Sequence, residues 1–116
     1  MSRRAAHALR LSPNDRLVGT YASRAMAFVH FAAGRYPECA TWARNMIEKQ
    51  PEYLHGHMFL TAALEGNLAA AAEARYLLLG VRPEFSLSWM TENMPNTGEV
   101  SERMREGLRK AGVPEA

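Results

Sequence analysis

The chain has 116 residues, of which 47% are hydrophobic and 22% charged, and its formal net charge is +2. This composition is typical of one globular domain and leaves no room for two independent cores. The positive bias is too weak to argue for nucleic acid or a membrane surface as a partner, because neither needs so many interspersed acids, and we expect neither partner. The single cysteine cannot form an intramolecular disulfide, and no apolar signal sequence follows Met1, so we expect a cytoplasmic protein.

An all-α fold is predicted from nineteen alanines against eleven Val, Ile and Thr residues. Helical periodicity, with prolines and glycines between the segments, places helices at residues 3–11, 16–33, 37–50, 53–64, 68–79, 85–90 and 99–111. Asn14 and Asp15 are the expected cap of the second segment, and Gly34 is its expected stop. Because every connection is short, we expect successive helices to lie antiparallel.

Two segments have distinct surface patterns. In the helix at 16–33, one apolar row carries the larger side chains and a second row runs beside it; the rows are Leu17, Tyr21, Ala25, Phe28/Val29, Ala32 and Val18, Ala22, Met26. In the last helix, Glu99–Arg103 and Glu106–Lys110 have the i,i+4 spacing of ion pairs on an exposed face.

An internal repeat is the most informative feature of the chain. Residues 34–53, GRYPECATWARNMIEKQPEY, align with residues 66–85, GNLAAAAEARYLLLGVRPEF, at an offset of 32. Glycine and proline are 17 residues apart in both copies. A unit of this kind cannot bury its apolar face alone, so neighbouring units must stack on it.

At these positions the sequence resembles the tetratricopeptide repeat (TPR), a two-helix hairpin that stacks into a superhelix. The matching residues are Gly34, Tyr36, Cys39/Ala40, Met46 and Pro51 in one copy and Gly66, Leu68, Ala71/Ala72, Leu78 and Pro83 in the other. Ser23 departs from the pattern, since it stands where the family has a large aromatic, and the second repeat is two residues short.

The resemblance implies a TPR-like α-solenoid of antiparallel helix hairpins, closed by a C-terminal capping helix. Its expected parts are a half repeat at 1–13, repeat 1 at 14–51, repeat 2 at 52–83 and a capping region at 84–116. The half repeat leaves Leu9 and Leu11 without a covering helix, which predicts a homodimer through this end.

The end of the chain has a second resemblance. Pro83-Glu84-Phe85-Ser86, followed by a helix ending in GLRKAGVPE, is similar to the C-terminus of bacterial regulators in which a TPR region follows an adenylate/guanylate cyclase or winged-helix domain. This similarity implies that the chain is the C-terminal part of a longer signalling protein.

No enzyme chemistry is predicted. Zinc needs three or four convergent ligands. His55 and His57 point about 200° apart on a helix, so this pair does not predict a metal site. Cys39 occupies a small-residue packing position and has no evident base beside it. We therefore expect no catalytic residue, no cofactor and no metal.

A binding surface remains. In a TPR the first helix of each pair lines the concave groove, which implies seven groove residues here: Tyr21, Arg24, Phe28, Phe31, His55, Met58 and Phe59. Aromatic side chains beside one arginine suit a bound peptide. The alternative is that the same residues pack against the neighbouring helices and the C-terminal helix, which would leave no groove.

Three functions stay open at this point. The first is a non-catalytic protein–protein interaction or scaffold module of a bacterial signalling or regulatory protein, binding a protein or peptide. The second is a small-ligand sensor that controls an attached cyclase or DNA-binding domain, which a pocket lined by Tyr21, Phe28, His55 and Phe59 would favour. The third is a structural oligomerisation module, which an empty groove with extensive burial between chains would favour.

Overall fold

Six helices form the part of the protein that the computed structural model describes, residues 16–94 and 96–116, with side chains from residue 19 onward. These residues contain no strand, so the described part of the chain is all-α. The helices are α1 (Arg16–Ala32), α2 (Tyr36–Lys49), α3 (Leu54–Ala63), α4 (Leu68–Val81), α5 (Leu87–Asn93) and α6 (Glu99–Lys110).

Five of these helices begin and end within two residues of the predicted positions, and α5 differs. It begins at Leu87 and runs to Asn93, whereas residues 85–90 were predicted. The reason is its cap: the Ser86 hydroxyl accepts a hydrogen bond from the Trp89 N–H, which makes Ser86 the N-cap and leaves Phe85 before the helix, buried in the core. The predicted helix at 3–11 and the predicted cap at 14–15 lie outside the described residues.

The turn between α1 and α2 depends on Gly34. Its φ is +78°, a left-handed conformation that glycine adopts without steric penalty, and it ends α1 as the sequence predicts. Beyond this turn α2 runs antiparallel to α1. Lys49 lies against Gly19, and the Ser23 hydroxyl donates to the Asn45 amide oxygen at 3.4 Å. The buried Ser23 thus packs closely in the place where the TPR pattern has an aromatic.

Helix α3 is the centre of the core. Nine of its ten residues are buried, and only His55 is partly exposed. Helices α1, α2, α4 and α6 all pack against it. Two glycines allow close approach: Gly56 of α3 lies on Met46 and Ile47 of α2, and Gly107 of α6 lies on the backbone of Ala62.

The two apolar rows predicted for α1 have different roles. Ala22 and Met26 of the second row are buried, together with Ala27 and Phe31. The row with the larger side chains is about half exposed, as shown by Tyr21 (54%), Phe28 (50%) and Val29 (47%). Since α2 and α3 cover one side of α1, this row is left facing a cavity.

Helix α6 is held to the rest of the fold by Arg103. Its guanidinium donates to the carbonyl oxygens of Phe31 (3.2 Å) and Ala32 (2.7 Å) at the C-terminal end of α1, and it lies over the Phe31 ring. A cation at this end of a helix satisfies free carbonyls and interacts favourably with the helix dipole. The contact fixes where α6 crosses the end of α1.

The surface ion pairs of α6 match the sequence in part. Glu99 and Arg103 are 4.0 Å apart, as the spacing predicts. The predicted Glu106–Lys110 pair is wrong: Arg109 is the partner of Glu106 at 2.7 Å and also contacts Glu115 at 2.6 Å. The planar guanidinium can engage two carboxylates at once, which a lysine ammonium does less well.

Two glycine substitutions test this packing. Gly107→Ala places a methyl group about 3.0 Å from the Ala62 carbonyl oxygen, and the backbone there cannot yield. We expect overpacking to outweigh the gain in helix propensity and to lower the free energy of unfolding by about 1 kcal/mol. Gly80→Ala on α4 is the matched control, because a Cβ there meets nothing within 4 Å, and it should stabilise by about 0.5 kcal/mol. Urea unfolding measures both; equal shifts in the two variants would contradict the close approach of α6 to α3.

Candidate functional site

A cavity of about 570 Å³ lies between α1, α3 and the α5–α6 segment. It is lined by aromatic, aliphatic and methionine side chains with a few polar groups: Tyr21, Arg24, Ala25, Phe28, Val29, His55, Met58, Phe59, Met90, Met94, Asn96, Val100, Ser101 and Met104. Its α1 edge is exposed, so we call Tyr21, Arg24, Phe28 and Val29 the mouth of the cavity. Its inner wall is buried.

Six of the seven groove residues expected from the sequence line this one cavity. They are Tyr21, Arg24, Phe28, His55, Met58 and Phe59. The seventh, Phe31, does not reach it. Its ring is 1% exposed and packs in the core against Tyr36 and Phe59, at centroid distances of 5.2 and 6.1 Å. Phe31 lies about one turn beyond Phe28 on α1, where Tyr36, Phe59 and the Arg103 guanidinium surround its ring and hold it in the core.

The far wall of the cavity comes from the region that the sequence interpretation treated as a cap. Met90 and Met94 of the α5 region and Val100 and Met104 of α6 supply it. Each pair has i,i+4 spacing, so each presents one apolar face. That spacing marks both faces as apolar in the sequence, but it does not say which other helices these faces meet.

One guanidinium provides the positive charge at the mouth. The Nη1 of Arg24 donates to the Tyr53 hydroxyl at 2.8 Å. The Tyr53 ring is flanked by Tyr21, edge-on at 6.5 Å, and by His55 at 5.2 Å. Within the described part of the chain, no carboxylate lies within 4.0 Å of Arg24 as an ion-pair partner. The aromatic cluster therefore holds a cation that has no described counter-charge.

His55 lies beside this cation in the first turn of α3. Burial lowers the pKa of its imidazole, and the charge of Arg24 lowers it further, to about 4. Both effects disfavour the protonated ring. His55 is consequently neutral at pH 7, with one N–H available as a donor and one ring nitrogen as an acceptor.

The other two side chains that could take part in chemistry, His57 and Cys39, are buried within the fold. His57 is buried, and because a carbonyl can only accept, its Nε2–H donates to the Pro51 carbonyl oxygen at 2.7 Å. Burial raises the pKa of the Cys39 thiol to about 12, so the sulfur is protonated and packs as a small apolar group. Nowhere in residues 16–94 and 96–116 do three His, Cys, Asp or Glu side chains cluster as a metal site would require.

Comparison of the chain with known protein families, with curated proteins and with solved structures finds no match. Among the described helices, none is long and apolar enough to cross a membrane.

The low pKa of His55 makes stability depend on pH in a defined window. Between its ordinary pKa of 6.5 and the folded value of about 4, the unfolded chain binds the proton and the folded chain does not. The contribution of neutral His55 to the free energy of unfolding is therefore present above pH 6.5 and is lost as the pH falls toward 4. We expect a loss of about 1–2 kcal/mol, reduced from the full linkage value because the ring is partly solvated.

His55→Gln, which cannot titrate, should show a shallower fall in unfolding free energy over this window than the wild-type chain. NMR titration of the His55 ring gives the pKa directly. Arg24→Gln should raise that pKa while leaving it below 6.5, because burial is the larger cause. A ring that titrates near 6.5 in the wild-type chain would contradict the enclosed position of His55.

Proposed function

We propose that this chain is a non-catalytic, TPR-like ligand-binding module whose cavity receives a small ligand. The observation that supports this most is the position of the cavity, an open cleft with walls on two sides. It is bounded on one side by α1 and α3, the first helices of the two proposed hairpins, and on the other by the α5–α6 segment. Its volume falls within the range of about 300–1,000 Å³ that small-molecule sites occupy.

The composition of the walls agrees with such a role. The apolar lining provides area for burial, while Arg24, His55, Asn96 and Ser101 are the few polar groups that can orient a ligand. A peptide running along an open TPR groove is less well accommodated, because α5 and α6 stand across the side where further repeats would extend the groove. The small-ligand sensor is therefore the better supported of the three functions considered from the sequence.

Signalling to an attached domain is part of the proposal. A ligand in the cavity contacts α1 and α3 on one side and α6 on the other, so binding favours the conformation in which these elements are close. In a longer bacterial regulatory protein, that preference would pass through α1 to whatever domain precedes it.

Binding of a neutral apolar probe tests the proposal. N-phenylnaphthylamine fluorescence should rise on one saturable site of the wild-type chain. Phe28→Ala removes a half-exposed ring at the mouth, so it should weaken binding about tenfold with little change in melting temperature. Leu68→Ala on α4 is the matched control, because it also removes an exposed, large apolar side chain but lies outside the cavity. Equal binding by Phe28→Ala and the wild-type chain would place the site elsewhere.

Protein–protein interaction is the second candidate, and a different surface favours it. Tyr76 (76% exposed) and Leu77 (46% exposed) border a mainly apolar groove of about 940 Å³ between α4 and the end of α2. Large apolar side chains grouped on a surface are typical of contact sites. The homodimer expected through residues 1–13 involves a part of the chain outside the described residues.

Light scattering separates these two interfaces. If the α4 groove joins two copies, the apparent mass should rise above the monomer value of 13.0 kDa at high concentration, and Tyr76→Glu should abolish the rise. The double variant Leu9→Glu, Leu11→Glu should then still associate. The reverse pattern would assign the dimer to the N-terminal half repeat, and a constant monomer mass would exclude both.

A further inference from the structure

We propose that the ligand of this cavity is a linear amphipathic carboxylate, bound with its carboxylate at Arg24 and His55 and its hydrocarbon chain along the inner wall. The inference rests on the proposed function and adds the chemical class of the ligand. The observation behind it is that the positive charge lies at the mouth of the cavity, whereas the inner wall is apolar.

The charge lies at the mouth. The guanidinium of Arg24 is exposed there and is held by the Tyr53 hydroxyl at 2.8 Å. None of the described lining residues is Asp or Glu, so none of them competes with a ligand anion for this cation. Guanidinium and carboxylate form charge-assisted hydrogen bonds, and a position already fixed by Tyr53 reduces the entropy lost on binding.

His55 supplies a second, neutral donor beside the cation. Because His55 lies in the first turn of α3, the positive end of that helix dipole lies at the same part of the cavity. One cation and one neutral N–H match a singly charged carboxylate. A phosphate dianion would leave part of its charge without a partner, and a cationic ligand would be repelled by Arg24.

The inner wall suits a hydrocarbon chain. Met58, Phe59, Met90 and Met104 are each no more than 6% exposed, and all four line the cavity. Methionine side chains are flexible and polarizable, so such a wall adapts to chains of different length. An acid whose head stays at the exposed mouth while its tail enters this wall leaves no charged group buried.

Calorimetry with matched ligands tests the inference. The probes are octanoate, octanol and octylammonium, which share one chain and differ in head group. The wild-type chain should bind octanoate at least tenfold more tightly than octanol, and octylammonium most weakly. Across hexanoate, octanoate and decanoate, the dissociation constant should fall about fourfold for each added methylene until the wall is filled.

Arg24→Gln should weaken octanoate about tenfold and leave octanol unchanged, which removes the preference for the acid. Arg44→Gln, on the exposed side of α2 and outside the cavity, is the control and should retain wild-type preference. Bound octanoate should also raise the pKa of His55, as followed by NMR. Among the described residues, Arg24 and Tyr21 of α1 line the cavity with this ring and Tyr53 lies against it, and α5 and α6 contribute no ionisable group to the cavity lining.

The outcomes separate the two proposals. If octanol and octanoate bind equally and Phe28→Ala weakens both, the cavity binds ligands but the carboxylate assignment is wrong. Tighter binding of octylammonium than of octanoate also overturns the assignment. If none of the three probes binds, the assignment and the proposed small-ligand function fail together.

Discussion

The enclosure of α3 is the constraint on which the rest of this structure depends. A helix that is apolar on nearly every side cannot remain at a surface, and ten residues are too few to form a stable helix alone. It must therefore be covered all round, and α1, α2, α4 and α6 each cover one side. The small residues at the contacts, Gly56 against α2 and Ala62 against Gly107, permit the short helix–helix distances that this covering needs.

The cavity is a consequence of the same constraint. Helices α1 and α6 both pack on α3, and Arg103 joins them at the C-terminal end of α1. Away from that contact, the space between them is lined by α1 residues from Tyr21 to Val29 and by α6 residues from Val100 to Met104. These side chains line the space without filling it. A site thus arises where two helices share a support and are joined at one end.

The sequence predicts the local structure well because helix periodicity, glycine stops and proline breaks act over a few residues. It placed five of six helices closely, and α5 was misplaced because the cap at Ser86 competes with the apolar signal of Phe85. Which face of a helix is buried is decided by its neighbours. That is why the larger apolar row of α1 faces the cavity and Phe31 lies in the core. The far wall, formed by α5 and α6, depends on how the end of the chain returns onto α3, and no local pattern encodes that return.

The electrostatics at the mouth connect stability to binding. The neighbouring charge of Arg24 and the burial of His55 disfavour a proton on the imidazole, and the same field favours an anion in the same place. By linkage, an anion bound there makes protonation of His55 easier, and protonation makes the anion bind more tightly. A cation has the opposite effect on both. The arrangement that makes the free domain less stable in acid is therefore also the basis of the proposed preference for a negatively charged ligand, and one pair of residues, Arg24 and His55, would account for both.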